Sequence, residues 1–120
     1  MVTMKIAERA IKSLWRDRMT VIEHRKLKKE NGATGFEDVE MVREEPCKII
    51  FKTLQATDQE EAAGLTQGIK LLCDKNVAIP AGSKILVLHE GIKTAYRQSG
   101  KPAVYSAHQE IMLELFERWA

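Results

Sequence analysis

Aromatic residues make up only 6% of this 120-residue chain, and its longest uninterrupted apolar run is the four residues of 85–88. So few rings leave no stacking platform for nucleic-acid bases. Four apolar residues are far short of the roughly 20 that a helical membrane span needs. Charge of one sign is also lacking: 19 Lys and Arg against 17 Asp and Glu leave a formal +2. A dedicated nucleic-acid binder usually carries a large basic excess. The first fifteen residues interleave Lys5, Glu8, Arg9 and Lys12 with apolar ones, which is not a secretory leader. These absences predict a single soluble intracellular domain over 1–120, since the length leaves no room for two cores.

The residues of common chemistries are equally sparse. Cys47 and Cys73, the two cysteines, form no CxxC pair, so neither a redox nor a zinc spacing is present. Each lies in an apolar, strand-like run; a cross-strand disulfide is open to them, but two partly buried free thiols are the expectation. His24, His89 and His108 stand singly, without ligand spacing. Glu44-Glu45 and Glu60-Glu61 sit in polar stretches with no apolar pocket to raise a carboxyl pKa. Ser83, Ser99 and Ser106 lie in no GxSxG context, and Gly64, Gly68 and Gly82 form no phosphate-binding loop. The expectation is a protein that is not an enzyme and carries no cofactor and no metal. A bound metal, or a deep pocket lined by His89 and His108, would reopen that question.

What the chain does have is alternation. Residues 1–16 place Ile6, Ala10, Ile11, Leu14 and Trp15 at helical spacing, predicting an N-terminal helix. After Asp17 the period drops to two, with Met19 and Val21 alternating against Thr20 and Ile22 in a strand to about Leu27. Asn31-Gly32 marks a hairpin tip within a loop at about 28–35. A return strand follows over 36–44, with Val39 and Met41 inward, and Pro46 separates it from a third strand over 47–54. There Ile49 and Phe51 share a face. Residues 55–65 are polar and acidic, a long surface loop. Strands over 66–73, 85–88 and 92–97 follow, with turns at Pro80 to Gly82, at His89 to Gly91 and at Ser99 to Pro102. The last segment, 104–119, alternates at Ile111, Leu113 and Leu115, although Ile111, Leu115 and Trp119 also fit a helix. About seven strands at this spacing predict a mainly β fold, a small antiparallel barrel or sandwich over 17–120 with long loops.

Three clusters are candidates for contacts with neighbours. Arg25, Lys26, Lys28 and Lys29 concentrate positive charge at the first hairpin, where an acidic neighbour or phosphates would suit it. Asp58, Glu60, Glu61 and Leu65 belong to the acidic loop. Phe116 and Trp119 are large apolar residues with little chain left to cover them; they are expected either to pack into the barrel or to form a subunit contact, where aromatics are enriched.

The stretches Ile79-Pro80-Ala81-Gly82-Ser83-Lys84-Ile85, Gln98-Ser99-Gly100-Lys101-Pro102-Ala103-Val104-Tyr105 and His108-Gln109-Glu110-Ile111-Met112-Leu113-Glu114-Leu115-Phe116, closing on Trp119-Ala120, resemble a family of small head–tail connector proteins. That family belongs to phages, prophages and phage-tail-like particles of Gram-positive bacteria. Pro46-Cys47 through Phe51-Lys52, Thr66-Gln67 and Ile69-Lys70-Leu71 extend the likeness to roughly 44–120. The resemblance implies a head-closure or neck subunit of a virion, assembled in the bacterial host cytoplasm. Such a subunit forms a homo-oligomeric ring, typically of twelve copies, between the portal or its adaptor and the tail terminator protein. DNA passes through the channel and is contacted only non-specifically; no membrane, cofactor or catalytic residue comes with the family. Two alternatives stand beside it: a tail-terminator or tail-completion ring of six, and a small nucleic-acid-binding β-barrel using the Arg25 to Lys29 cluster.

Overall fold

A computed structural model describes residues 9, 10, 12–55 and 65–119. Seven antiparallel strands make one sheet: β1 (Asp17–Lys28), β2 (Thr34–Gln55), β3 (Leu65–Cys73), β4 (Lys84–His89), β5 (Ile92–Gln98), β6 (Ala103–Val104) and β7 (Gln109–Leu115). Their order is β3-β2-β1-β4-β5-β7-β6, and β3 pairs in addition with β7. That pairing, from Ile69 opposite Leu113 to Cys73 opposite Gln109, joins β1, β2, β3, β7, β5 and β4 into a closed ring of hydrogen-bonded strands. The short β6 folds back on β7 beside it.

Alternation decides what fills the ring. Met19 and Val21 of β1, Cys47 and Ile49 of β2, Leu71 and Cys73 of β3, Ile85 and Val87 of β4, Tyr96 of β5, and Ile111 and Leu113 of β7 are buried together. These are the every-other-residue positions that a pleated strand turns to one side. Val42, Ile69, Val77 and Ile79 pack against the cluster from its margins.

One rung of this ring is polar at its ends. Asp17, Cys47, Cys73 and Gln109 lie side by side on four successive strands and are all buried. The Gln109 amide donates to the Asp74 carbonyl at 2.9 Å and the Val77 carbonyl at 2.7 Å, tying the loop after β3 to β7. Asp17 accepts the Ile49 N–H at 2.9 Å and His89 Nδ1–H at 2.7 Å, joining β1, β2 and β4. The reason is local: β1 begins at Asp17, so Ile49 has no backbone acceptor on that side and a carboxylate replaces it. The large majority of buried polar groups in cores are satisfied in this way. The two cysteines between them are free thiols, pushed up to about 12 chiefly by burial.

The structure differs from the sequence reading at several points. Pro46 does not divide two strands; β2 runs through it, opposite Arg18. Since the Ile49 N–H points toward β1, alternation puts the Pro46 nitrogen on the other edge. The pairing of β3 starts only at Cys47, so no hydrogen bond is lost there. Met41 is exposed rather than inward, because the β1–β2 register shifts once between Glu45 and Val42 and again between Val42 and Glu40, where Met41 itself is the extra residue. Each one-residue slip reverses the faces of all that follows. Val42 therefore takes the inward place, and Glu44, at φ 49°, sits in the bulge with its N–H 3.3 Å from the Thr20 hydroxyl. The segment 104–119 is strand rather than helix, but it divides into β6, a turn and β7, and Leu115 is exposed. The helix expected over 1–16 falls largely outside the described residues; within them 9, 10 and 12 are helical, the chain turns at Ser13 and Leu14, and Trp15 is buried.

The hairpins carry the turn chemistry expected of them. Glu90 and Gly91 link β4 to β5 with φ of 49° and 81°, the positive pair that a two-residue connection of type I′ requires. At the β1–β2 tip, Gly32 at φ 84° donates to the Lys29 carbonyl, and Asn31 Oδ1 accepts the Ala33 N–H.

Two predictions follow from the polar rung. Asp17→Ala strands the Ile49 N–H and should cost about 1–3 kcal/mol in urea unfolding, with Asp17→Asn recovering part of it. The thiols keep their protons in the folded state at pH values where the unfolded chain loses them, so stability falls as pH rises from about 9 to about 12. The slope is at most about 1.4 kcal/mol per pH unit for each thiol. A Cys47→Ala/Cys73→Ala variant should show a flatter profile over that range.

Candidate interaction surface

β1 outlasts its ring partner. Pairing with β4 ends at Ile22 opposite Lys84, whereas pairing with β2 continues to Lys28 opposite Thr34. The two strands therefore leave the ring as a ribbon ending in the turn at 29–33. β2 makes a second projection at its other end, where 52–55 pair with β3 residues 65–68, beyond the last β7 partner at Ile69. These projections account for a radius of gyration of 17.3 Å, against roughly 14 Å for a compact chain of this length.

Charge divides along the first ribbon by strand. Its β1 side carries Arg25, Lys26 and Lys28, with Lys29 at the turn, all exposed. Its β2 side carries Glu37, Asp38 and Glu40, also exposed. Some charges are matched internally: His24 with Asp38 at 2.8 Å, Arg25 with Glu23 at 3.3 Å, and Arg43 with Glu40 at 2.6 Å. Lys26, Lys28, Lys29 and Glu37 hold no ion pair among the described residues.

The C-terminal segment braces the root of this ribbon. The His24 ring stacks on Phe36 at 4.6 Å and on Trp119 at 4.7 Å, within 10° and 12° of parallel, which places the imidazole between the two. Phe116 meets Trp119 edge to face, the Lys84 ammonium lies 5.1 Å from the Phe116 ring, and the Phe116 N–H reaches the Ala95 carbonyl. Phe116 and Trp119 thus fill part of their candidate role within their own chain. Packing on their own fold and contact with a neighbouring subunit were both open to them, and both are partly buried.

Elsewhere the polar clusters are structural in form. His89, oriented by Asp17, lines a cavity of about 490 Å³ with Arg16 and Lys48, and an adjoining one of about 140 Å³ with Phe51 and Tyr96. His108 is held apart from it, stacked on Tyr105 and 3.1 Å from Glu110, which also meets Lys70 at 3.1 Å. His108 first, then Lys70, holds the Glu110 carboxyl below its usual value, and Lys12 does the same for Asp74. No group of three His, Cys, Asp or Glu able to hold a metal occurs among the described residues. Nor is any helix among them long and apolar enough to cross a membrane.

Comparison with solved structures bears on this architecture. A phage-like element protein shares the fold. It is the PBSX protein xkdH from Bacillus subtilis, matched with a TM-score of 0.50 over 82% of this chain and 91% of that one, at 14% identity. No protein-family model and no curated protein matches the sequence. So low an identity carries the fold and not the residues, and the site rests on its own geometry.

Of the candidate contact residues, the structure gathers Arg25, Lys26, Lys28 and Lys29 on one projecting ribbon with Trp119 at its root. Asp58, Glu60 and Glu61 lie outside the described residues, and Leu65 begins β3 opposite Gln55. The acidic half of the ribbon (Glu37, Asp38 and Glu40) and the stacking pair His24 and Phe36 were not singled out from sequence. A signal existed, since the strand facing the basic run reads Glu-Asp-Val-Glu, but only register places the two together. Trp119→Ala removes one face of the His24 stack. It should raise amide exchange over 22–26 and 36–40, lower stability by about 1 kcal/mol, and leave the core amides of Leu71 and Ile111 protected.

Proposed function

We propose that this chain is a structural subunit of a phage or phage-like particle, one copy of a homo-oligomeric ring in the neck that joins the portal or its adaptor to the tail. The observation that carries the reading is the fold shared with the phage-like element protein xkdH, which covers 82% of this chain and 91% of that one. The geometry supports it. A closed strand ring gives a rigid body, and two projecting ribbons give reach to neighbours. In this reading the partners are further copies of the chain, the portal or adaptor on one side and the tail terminator on the other. DNA in the channel meets only non-specific charge.

A second reading, a nucleic-acid-binding domain, draws on the exposed Arg25, Lys26, Lys28 and Lys29. The carboxylates facing them on the same ribbon weigh against it, because they repel phosphates. Imaging of purified particles checks the first reading. The expected density lies between portal and tail tube in about twelve copies, while six copies would mark a tail terminator. Absence from the particle, together with salt-dependent DNA binding by the isolated protein, would favour the second.

A further inference from the structure

We infer that copies of this chain join edge to edge through the β1–β2 ribbon, the basic β1 edge of one copy lying against the acidic β2 edge of the next. The inference rests on the ring reading above and names the surface that would build it. Three observations lead there. First, both outer edges of the ribbon lack a strand partner among the described residues: β4 stops at Ile22, and β3 reaches β2 only at Cys47. Unpaired edges are templates for another strand.

Second, the charges separate by edge and not by face. Successive residues of a strand point to opposite faces. Lys26 and Lys28 therefore share one face and Arg25 takes the other, while Asp38 and Glu40 share a face and Glu37 takes the other. A β1 edge set beside a β2 edge thus meets opposite charge on both faces at once. Cross-strand pairs of opposite sign stabilise a sheet, and like charges opposite one another destabilise it. Third, ions are left over for this purpose. Arg25 stands directly opposite Glu37 in register, yet it bonds Glu23 instead, so Glu37, like Lys26 and Lys28, holds no ion pair among the described residues. Leu27, Phe36 and Met41 add exposed apolar surface along the same ribbon.

The arrangement also selects symmetry. A two-fold contact would set β1 against β1, or β2 against β2, and bring like charges together. A head-to-tail contact brings opposite charges together. Side by side and pointing the same way, neighbouring ribbons continue the antiparallel alternation, with β2 of one copy descending beside β1 of the next ascending. Head-to-tail contacts of this kind close into rings when the rotation permits. The competing role for Lys26 and Lys28 is a guard that keeps edges apart, a common use of lysine on edge strands.

Charge reversal separates these roles. Self-association of the whole chain is followed by native mass spectrometry and light scattering at low and high salt. Wild type is expected to assemble, less so at high salt. Carbodiimide should link Lys26 or Lys28 of one copy to Asp38 or Glu40 of another in mixed isotope-labelled and unlabelled protein. Lys26→Glu/Lys28→Glu and Asp38→Lys/Glu40→Lys should each raise the concentration for half-assembly at least tenfold. Mixed one to one, the two variants should assemble again as alternating copies, which a merely misfolded variant would not do. Wild-type rings unaffected by either reversal, or no recovery on mixing, would overturn the edge contact and leave the ring reading standing. A wild type that stays monomeric at every concentration and salt would overturn the edge contact too, and copy number in purified particles then decides the ring separately. Duplex binding lost in Lys26→Glu/Lys28→Glu with self-association unchanged would reassign the basic edge to DNA.

Discussion

Strand β7 is bonded on both of its edges, to β3 along 109–113 and to β5 along 113–115, and that double pairing turns a row of strands into a closed ring. Without it β3 and β5 would each end the sheet on an open edge. The interior of so small a ring is narrow, which suits its mixture of medium aliphatic residues with two cysteines. Closure also isolates the polar rung from Asp17 to Gln109. Backbone groups that the ring geometry leaves unpaired, at Ile49, Asp74 and Val77, are met by the two buried polar side chains of that rung.

β2 carries the consequences outward. At 22 residues it is too long to remain within the ring, and it spends one half on β1 and the other on β3, meeting both only at Cys47. Bulges between its partners Met19 and Ile22 turn the first half away from the body. The ribbon that results is braced by Trp119 and Phe116, so a C-terminal segment distant in sequence sets the stance of the first hairpin. A rigid body with braced projections fits the subunit role proposed above, and the outer edges of the first ribbon are unpaired among the described residues.

Much of this was legible from the residues. The two-residue period over 17–22 and 109–113, the Asn31-Gly32 tip and the Glu90-Gly91 turn each follow from local sterics and burial, and the structure keeps them. The continuation of β2 through Pro46 was not legible, because a proline is tolerated wherever its nitrogen faces an unpaired edge, and that depends on where β3 stops. Met41 was misplaced for a similar reason, since a bulge leaves no local mark beyond a Glu44 held at positive φ.

The amino-acid order by itself determined that the chain would be antiparallel β, with buried thiols and a basic first hairpin, since these depend on neighbours a few residues apart. Which strands would lie together was decided only by tertiary structure. It put Cys47 beside Cys73, the acidic strand beside the basic one, and Trp119 on His24. Those meetings span long stretches of chain, and they are won by closing the ring and filling its interior, a balance that no local window of residues contains.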